Sequence, residues 1–276
     1  MELEALPLTV LIILVEFALG SLIAVLISDA RGLAPASFVK LSAALVVIGA
    51  ALALLTATGV SGDEAGSYDL RDGLFPAVRG ALIAFLACSL LYAWFALRER
   101  REASLNAGAL AACVGLVVIG MVAYQVSAPT WSLAGTVLSL LAGTLALGLA
   151  SESMILGHWY LVTPKLPGRP LIELTFLLLI ALAVQALLMT LNAAVPASEV
   201  PETSAVLSGS LGSNPAFWLR VGVGLVFPVA LAYMAWRSSQ EHAMMSATGL
   251  LYIAVGAVFA GEVLARGLLF VTASPV

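Results

Sequence analysis

Apolar residues in this chain do not alternate with polar ones at helical or strand spacing. They come in long unbroken runs joined by short polar connections. A bilayer core of about 30 Å takes about 20 apolar residues per crossing helix. Eight runs reach that length: Leu6–Ser28, Phe38–Val60, Phe75–Leu97, Asn106–Val126, Trp131–Val162, Leu171–Ala194, Pro215–Trp236 and His242–Phe270. A helix apolar on every side belongs in lipid or in a large core. The pattern therefore predicts an all-α polytopic integral membrane protein with eight transmembrane helices, one membrane domain over residues 1–276. The fifth and eighth runs exceed a perpendicular span and should tilt or project beyond the hydrocarbon.

The connections carry the charge. Arg31, Lys40, Arg98, Arg100, Arg101, Lys165, Arg169 and Arg237 fall on one side of an eight-helix count. Asp63, Glu64, Asp69, Asp72, Glu199 and Glu202 fall on the other. Cytoplasmic connections are enriched in Lys and Arg, so the basic side is expected in the cytoplasm of a cell inner membrane and both termini outside. Segments Gly62–Gly73 and Pro196–Asn214 become the two sizeable external loops, both too short for a soluble catalytic module. A faint internal repeat suggests halves 1–126 and 131–276. Glu16 in helix one parallels Glu152 in helix five, and Tyr92-Ala93-Trp94 ends helix three much as Tyr233-Met234-Ala235-Trp236 ends helix seven. Two parallel four-helix units would follow.

Composition agrees and removes some function classes. The 276 residues are 62% hydrophobic and 10% charged, with a mean hydropathy of +1.08. The net charge is −4 and no basic stripe exists, which argues against nucleic acid as a partner. Cys88 and Cys113 sit in separate apolar runs and form no CxxC or CxxCH pattern, so c-type haem attachment and zinc clusters are not expected and no metal site is assigned. The acidic start Met1-Glu2-Leu3-Glu4 lacks a signal peptide's basic region, so the first run is expected to stay as a helix.

Candidate chemistry lies on the few polar residues within the runs. Helix five carries Glu152, His158, Trp159 and Tyr160 near the basic side. Quinone headgroups need donors to their carbonyls, a proton-exchanging group and an apolar groove, and His, Tyr and Glu supply these. The four residues are therefore a candidate quinone or proton site, with Trp159 and Tyr160 also placed for an aromatic belt. The only other histidine, His242, lies at similar depth. With His158 it offers the alternative of b-type haem ligation between helices five and eight. Ser238 and Glu241 have capping-box spacing, which would put His242 in the first turn of helix eight.

Glu16 is a mid-helix carboxylate with no Lys or Arg three or four residues away, so it is expected to be protonated or paired across helices. Glu262 and Arg266, four apart, can form a structural ion pair. Arg79 and Arg220 lie near external helix ends, where they can snorkel. Glu16, Glu152 and Gln185 would mark the path of a small-solute or ion transporter.

The ending Gly261-Glu262-Val263-Leu264-Ala265-Arg266-Gly267-Leu268-Leu269-Phe270 resembles that of the membrane anchor subunits of the dimethyl-sulfoxide and polysulfide reductase class. The turn Gly168-Arg169-Pro170-Leu171 is similar to one of theirs, although it follows helix five here and stands in the first half there. The resemblance implies two four-helix bundles, quinol binding without haem, and docking of an iron–sulfur subunit. The function expected is a membrane subunit of a respiratory or electron-transfer complex with other, iron–sulfur or cytochrome, subunits as partners. Alternatives are the haem carrier, the transporter, and an assembly subunit with no site.

Overall fold

The computed structural model describes residues 5–32, 34–60, 64–65, 68–71, 73–163, 166–199 and 211–276. Eight helices long and apolar enough to cross a membrane make up the fold: α1 Leu6–Ala30, α2 Ala36–Gly59, α3 Phe75–Leu97, α4 Arg101–Val126, α5 Leu133–Val162, α6 Arg169–Ala194, α7 Pro215–Gln240 and α8 Met244–Thr272. The chain is an all-α, multi-pass membrane protein whose lipid-facing surface is set by these helices. Among the sequence's candidate charges, Asp63, Asp72, Lys165 and Glu202 lie outside the described residues, as does most of the segment before Leu211.

Successive helices pack side by side. α1 to α4 form one ring, closed by α1 against α4; α5 to α8 form a second, closed by α5 against α8. The rings meet mainly where α1 lies along α5. These two are the most enclosed helices, with 67% of each apolar window buried, against 28% for α3. Lipid offers helices no hydrophobic drive to associate, so close backbone approach at small residues must supply the contact. Gly20 and Gly148 do this: a Cβ on either would overlap the backbone of the opposite helix.

The turns at the basic face lock neighbouring helices together. Arg101 donates to the carbonyls of Asp29 and Ala30, two of the four acceptors that α1 leaves unpaired at its end. Its Nε lies 3.2 Å from the Asp29 carboxylate. This accounts for α4 starting at Arg101, five residues before the apolar run. Lys40 on α2 pairs with Glu99 in the α3–α4 turn at 2.6 Å, and that ammonium holds the Glu99 carboxyl below the usual range.

At the opposite face, a two-residue antiparallel pairing of Glu64–Ala65 (β1) with Tyr68–Asp69 (β2) folds over the helix ends. The Tyr68 ring stands edge-on to Phe270, and its hydroxyl donates to the Val126 carbonyl. Burial pushes that phenol's pKa well up. Arg79 does not snorkel; it donates to the carbonyls of Ala57 and Val60 and so caps α2.

The capping box at Ser238–Glu241 does not form. α7 continues through Gln240, four residues past the apolar run, and α8 begins at Met244 with no side-chain cap. His242 closes α7 with a φ of +59°, and the Ala243 N–H returns to the Ser238 carbonyl at 2.9 Å. This is a Schellman closure, with histidine where glycine is usual. Glu99 ends α3 the same way, at φ +56° and with Arg100 N–H on the Phe95 carbonyl. His242 thus lies in a turn and not in helix eight.

Candidate functional site

α1 and α5 run parallel, since partners along the seam rise together in number: Glu16 with Arg266 beside Ser139, Gly20 with Gly148, and Ser21 beside Glu152. The glycine crossing divides the seam. Glu152 lies one turn, about 6 Å, past it toward the basic face, and Glu16 one turn, about 6 Å, before it. Both carboxylates are fully buried, yet their surroundings differ.

Glu152 sits among hydroxyls. Ser42 on α2 donates to its Oε2 at 2.5 Å. Ser21 on α1 approaches it without closing a hydrogen bond of good geometry. The other oxygen, Oε1, has no partner. No Lys, Arg or His pairs with Glu152 among the described residues. An isolated carboxylate at this depth costs many kcal/mol, and the group neutralises instead. Hydroxyls satisfy either protonation state, because they donate to a carboxylate and accept from a carboxylic acid.

Glu16 meets charge instead. Arg266 on α8 reaches it at 2.8 Å and also reaches Glu262, four residues before Arg266, at 2.8 Å. Arg220 on α7 lies 3.3 Å from Glu262, and Gln185 on α6 donates to the same carboxylate. Two carboxylates face two guanidiniums, and all four side chains are at most 1% exposed. The Glu262–Arg266 pair forms as its spacing predicts, but as half of this larger cluster. Arg220 is not a snorkelling residue; it is buried at one end of the cluster, paired with Glu262.

Backbone irregularity makes room for Arg220. Pro228 has no N–H to offer the carbonyl of Gly224, four residues earlier. Residues Gly222–Val226 widen into a π-helical turn, a device common at functional positions. The Arg220 guanidinium donates to the freed Gly224 carbonyl at 3.0 Å. Gly261 lets α8 come close there: a Cβ on it would stand 2.5 Å from the Gly224 Cα and 2.7 Å from the Arg220 guanidinium. Charge counting could have found Arg220. Glu16 and Glu262 against Arg266 alone would leave one net negative charge in lipid, which a second cation or a proton must offset, and Arg220 is, with Arg79, one of the two other arginines in the apolar runs.

The four residues proposed on α5 do not converge on one point. Glu152 bonds to α2. Trp159 Nε1 donates to the Ser37 hydroxyl on α2 at 2.8 Å, and the Tyr160 hydroxyl donates to the Pro167 carbonyl at 2.6 Å. His158 is exposed, with its Nδ1 2.9 Å from the Tyr252 hydroxyl of α8. If Tyr252 donates that bond, Nε2 carries the imidazole proton and is free to donate. Tyr160 and His242 line a single open cleft of about 340 Å³ with Leu161, Met244 and Met245. The two histidines share the α5–α8 side of the basic face, one on a helix and the other in a turn. Compared with known proteins, the chain matches no family model and no curated sequence.

Proposed function

We propose that this chain is a membrane subunit of a respiratory or electron-transfer complex, seated in the cell inner membrane with its basic face in the cytoplasm and both termini outside. It offers a proton site at Glu152 and a quinone-binding cleft on the neighbouring α5–α8 side. The observation that carries the reading is Glu152, a fully buried carboxyl held by the Ser42 hydroxyl with Ser21 beside it, and paired with no cation among the described residues. A structural carboxylate is neutralised by an ion pair, as Glu16 is; one surrounded by hydroxyls can gain and lose a proton where it stands.

The cleft supports the quinone part. It is largely apolar and carries a phenol, an imidazole and two thioether side chains beside the basic-face ends of two apolar helices. His158 adds a second imidazole on the same side, positioned by Tyr252. Oxidising a quinol there yields a quinone, two protons and two electrons. The electrons go to an iron–sulfur or cytochrome centre on a partner subunit, the protons to titratable groups of this chain.

The reading is tested by purifying the chain from its native membrane under mild conditions. Redox-cofactor-bearing subunits should co-purify. Quinol-dependent reduction of an artificial acceptor should fall by about 100-fold in Glu152→Gln, the order expected for loss of a proton-transferring group, with the complex still assembled. An assembled complex with unchanged quinol activity would contradict the proposal. A reduced-minus-oxidised spectrum of the chain purified alone that shows a b-type haem, lost in His158→Ala and in His242→Ala, would replace the quinone cleft with haem ligation.

A further inference from the structure

We infer that the cleft between the α1–α2 and α3–α4 turns is the mouth of a proton route that leads inward to Glu152 and stops there. The inference rests on Glu152 being the proton site and adds the side from which it is filled.

The cleft has a volume of about 340 Å³ and opens at the basic face, where Asp29, Val39, Ala96, Glu99, Arg101 and Ser104 line it. Each of three lining positions has a polar side chain deeper on its own helix. Ser42 lies three residues beyond Val39 on α2, and Tyr92 four residues before Ala96 on α3, so both share the face of the lining residue one turn further in. Ser21 lies eight residues before Asp29 on α1, about 12 Å along the axis. These three side chains are fully buried. Ser42 and Ser21 surround Glu152. The Tyr92 hydroxyl lies within electrostatic range of both Asp29 and Glu152.

Bond counting shows that this is not a sealed apolar core. Tyr92 Oη, Ser21 Oγ and Glu152 Oε1 are all buried and close no hydrogen bond of good geometry within the protein. Ser89, three residues before Tyr92 on the same face of α3, is in the same condition. Buried polar groups are normally paired, and water serves them where protein does not. A file of such groups between an open cleft and a buried carboxyl is a path for protons. Each hydroxyl or water accepts a proton on one side and releases one on the other. The net change is one proton taken from solvent at the mouth and one carboxylate converted to carboxylic acid at Glu152. At the mouth Asp29 pairs with Arg101 and Glu99 with Lys40, while Arg31, Arg98 and Arg100 stand in the same two turns and Glu102 at the start of α4.

Beyond Glu152 the path ends. At the Gly20–Gly148 crossing the two backbones touch, and not even a methyl group fits between them. Glu16 and its ionic cluster lie past that seal. Along this seam Glu152 is therefore separated from Glu16, and its proton traffic lies on the basic-face side of the crossing, where the proposed quinone cleft also lies.

The test is infrared spectroscopy on the full chain in lipid nanodiscs moved rapidly into D2O. The carboxylic C=O band of Glu152, identified by its loss in Glu152→Gln, shifts as its proton is replaced by deuteron. Tyr92→Phe and Ser42→Ala each remove one hydroxyl while keeping the packing, and each should slow that shift about tenfold or more. Tyr252→Phe, on the α5–α8 side, should leave it unchanged. In proteoliposomes, a pH step applied to the basic face should move the band and a step on the opposite face should not. If wild type has no Glu152 band at any pH, the proton-site reading itself fails. A band whose exchange ignores both substitutions, or that responds from the opposite face, overturns the route and leaves the proton site standing.

Discussion

Arg220 and Arg266 each hold a full charge within the membrane, and each is tolerated because carboxylates meet it within 3.3 Å. Removing one partner of a buried pair leaves the other charge uncompensated, at a cost of about 3–5 kcal/mol. Arg266→Met should therefore lower the thermal stability of the detergent-solubilised chain strongly, since it strands Glu16 and leaves Arg220 as the one cation on Glu262. Glu262→Gln should cost comparably. The double variant Arg266→Met/Glu262→Gln should cost clearly less than the sum of the two, because Arg220 is then balanced by Glu16 alone. Thermal unfolding of the four proteins gives the coupling directly. Simple additivity would mean that the cluster is not a single electrostatic unit.

What the sequence discloses at this scale depends on whether the partner is near in the chain. Glu262 and Arg266 share a helix and announce themselves by spacing. Glu16 declares a need for a partner but not its identity, since Arg266 stands 250 positions away. Glu152 stands out as a carboxylate in an apolar run, but Ser42, 110 positions distant, is an unremarked serine until the fold brings it there. Tyr92 reads as a helix-ending aromatic and becomes a candidate only when its buried hydroxyl is found without a protein partner.

Among the elements, α1 and α5 carry the most consequence, and their contact depends on two glycines. The seam has room for hydrogen atoms alone at Gly20 and Gly148. Gly148→Val forces the helices apart and should separate Glu16 from Arg266 one turn away. Hydrogen exchange along α1 should rise across the stretch centred on Gly20, while α3, which lies away from the seam, keeps its protection. Unchanged protection in α1 would mean that the crossing is looser than the backbone contact indicates.

The helices themselves were legible because membrane spans depend on length and hydropathy, both local properties. Their ends were less so, because tertiary contacts set them. α4 starts at Arg101 since that side chain is needed on the last carbonyls of α1. α7 runs on through Ser238 and Ser239, and a Schellman turn at His242 replaces the expected cap of α8. The π-helical turn at Gly222–Val226 was foreshadowed by Pro228, although a proline alone does not say which group will take up the freed carbonyl.

At the scale of the molecule, two rings of four helices meet along one seam, and the two buried carboxylates of that seam lie on either side of its tightest point. Glu16, on the side away from the basic face, is held by charge in a cluster drawn from α1, α6, α7 and α8. Glu152, on the basic-face side, is held by the Ser42 hydroxyl with Ser21 beside it, below an open cleft. The asymmetry sets an ion-paired carboxylate on one side of the crossing and one without a cation on the basic-face side, the arrangement proposed for a subunit that passes protons between a quinone and one face of the membrane. Infrared titration of the full chain in lipid, wild type against Glu152→Gln, tests this most directly. A carboxylic C=O band that rises reversibly as the pH is lowered, and is missing in Glu152→Gln, is the predicted result. A spectrum identical in the two proteins at every pH would contradict it.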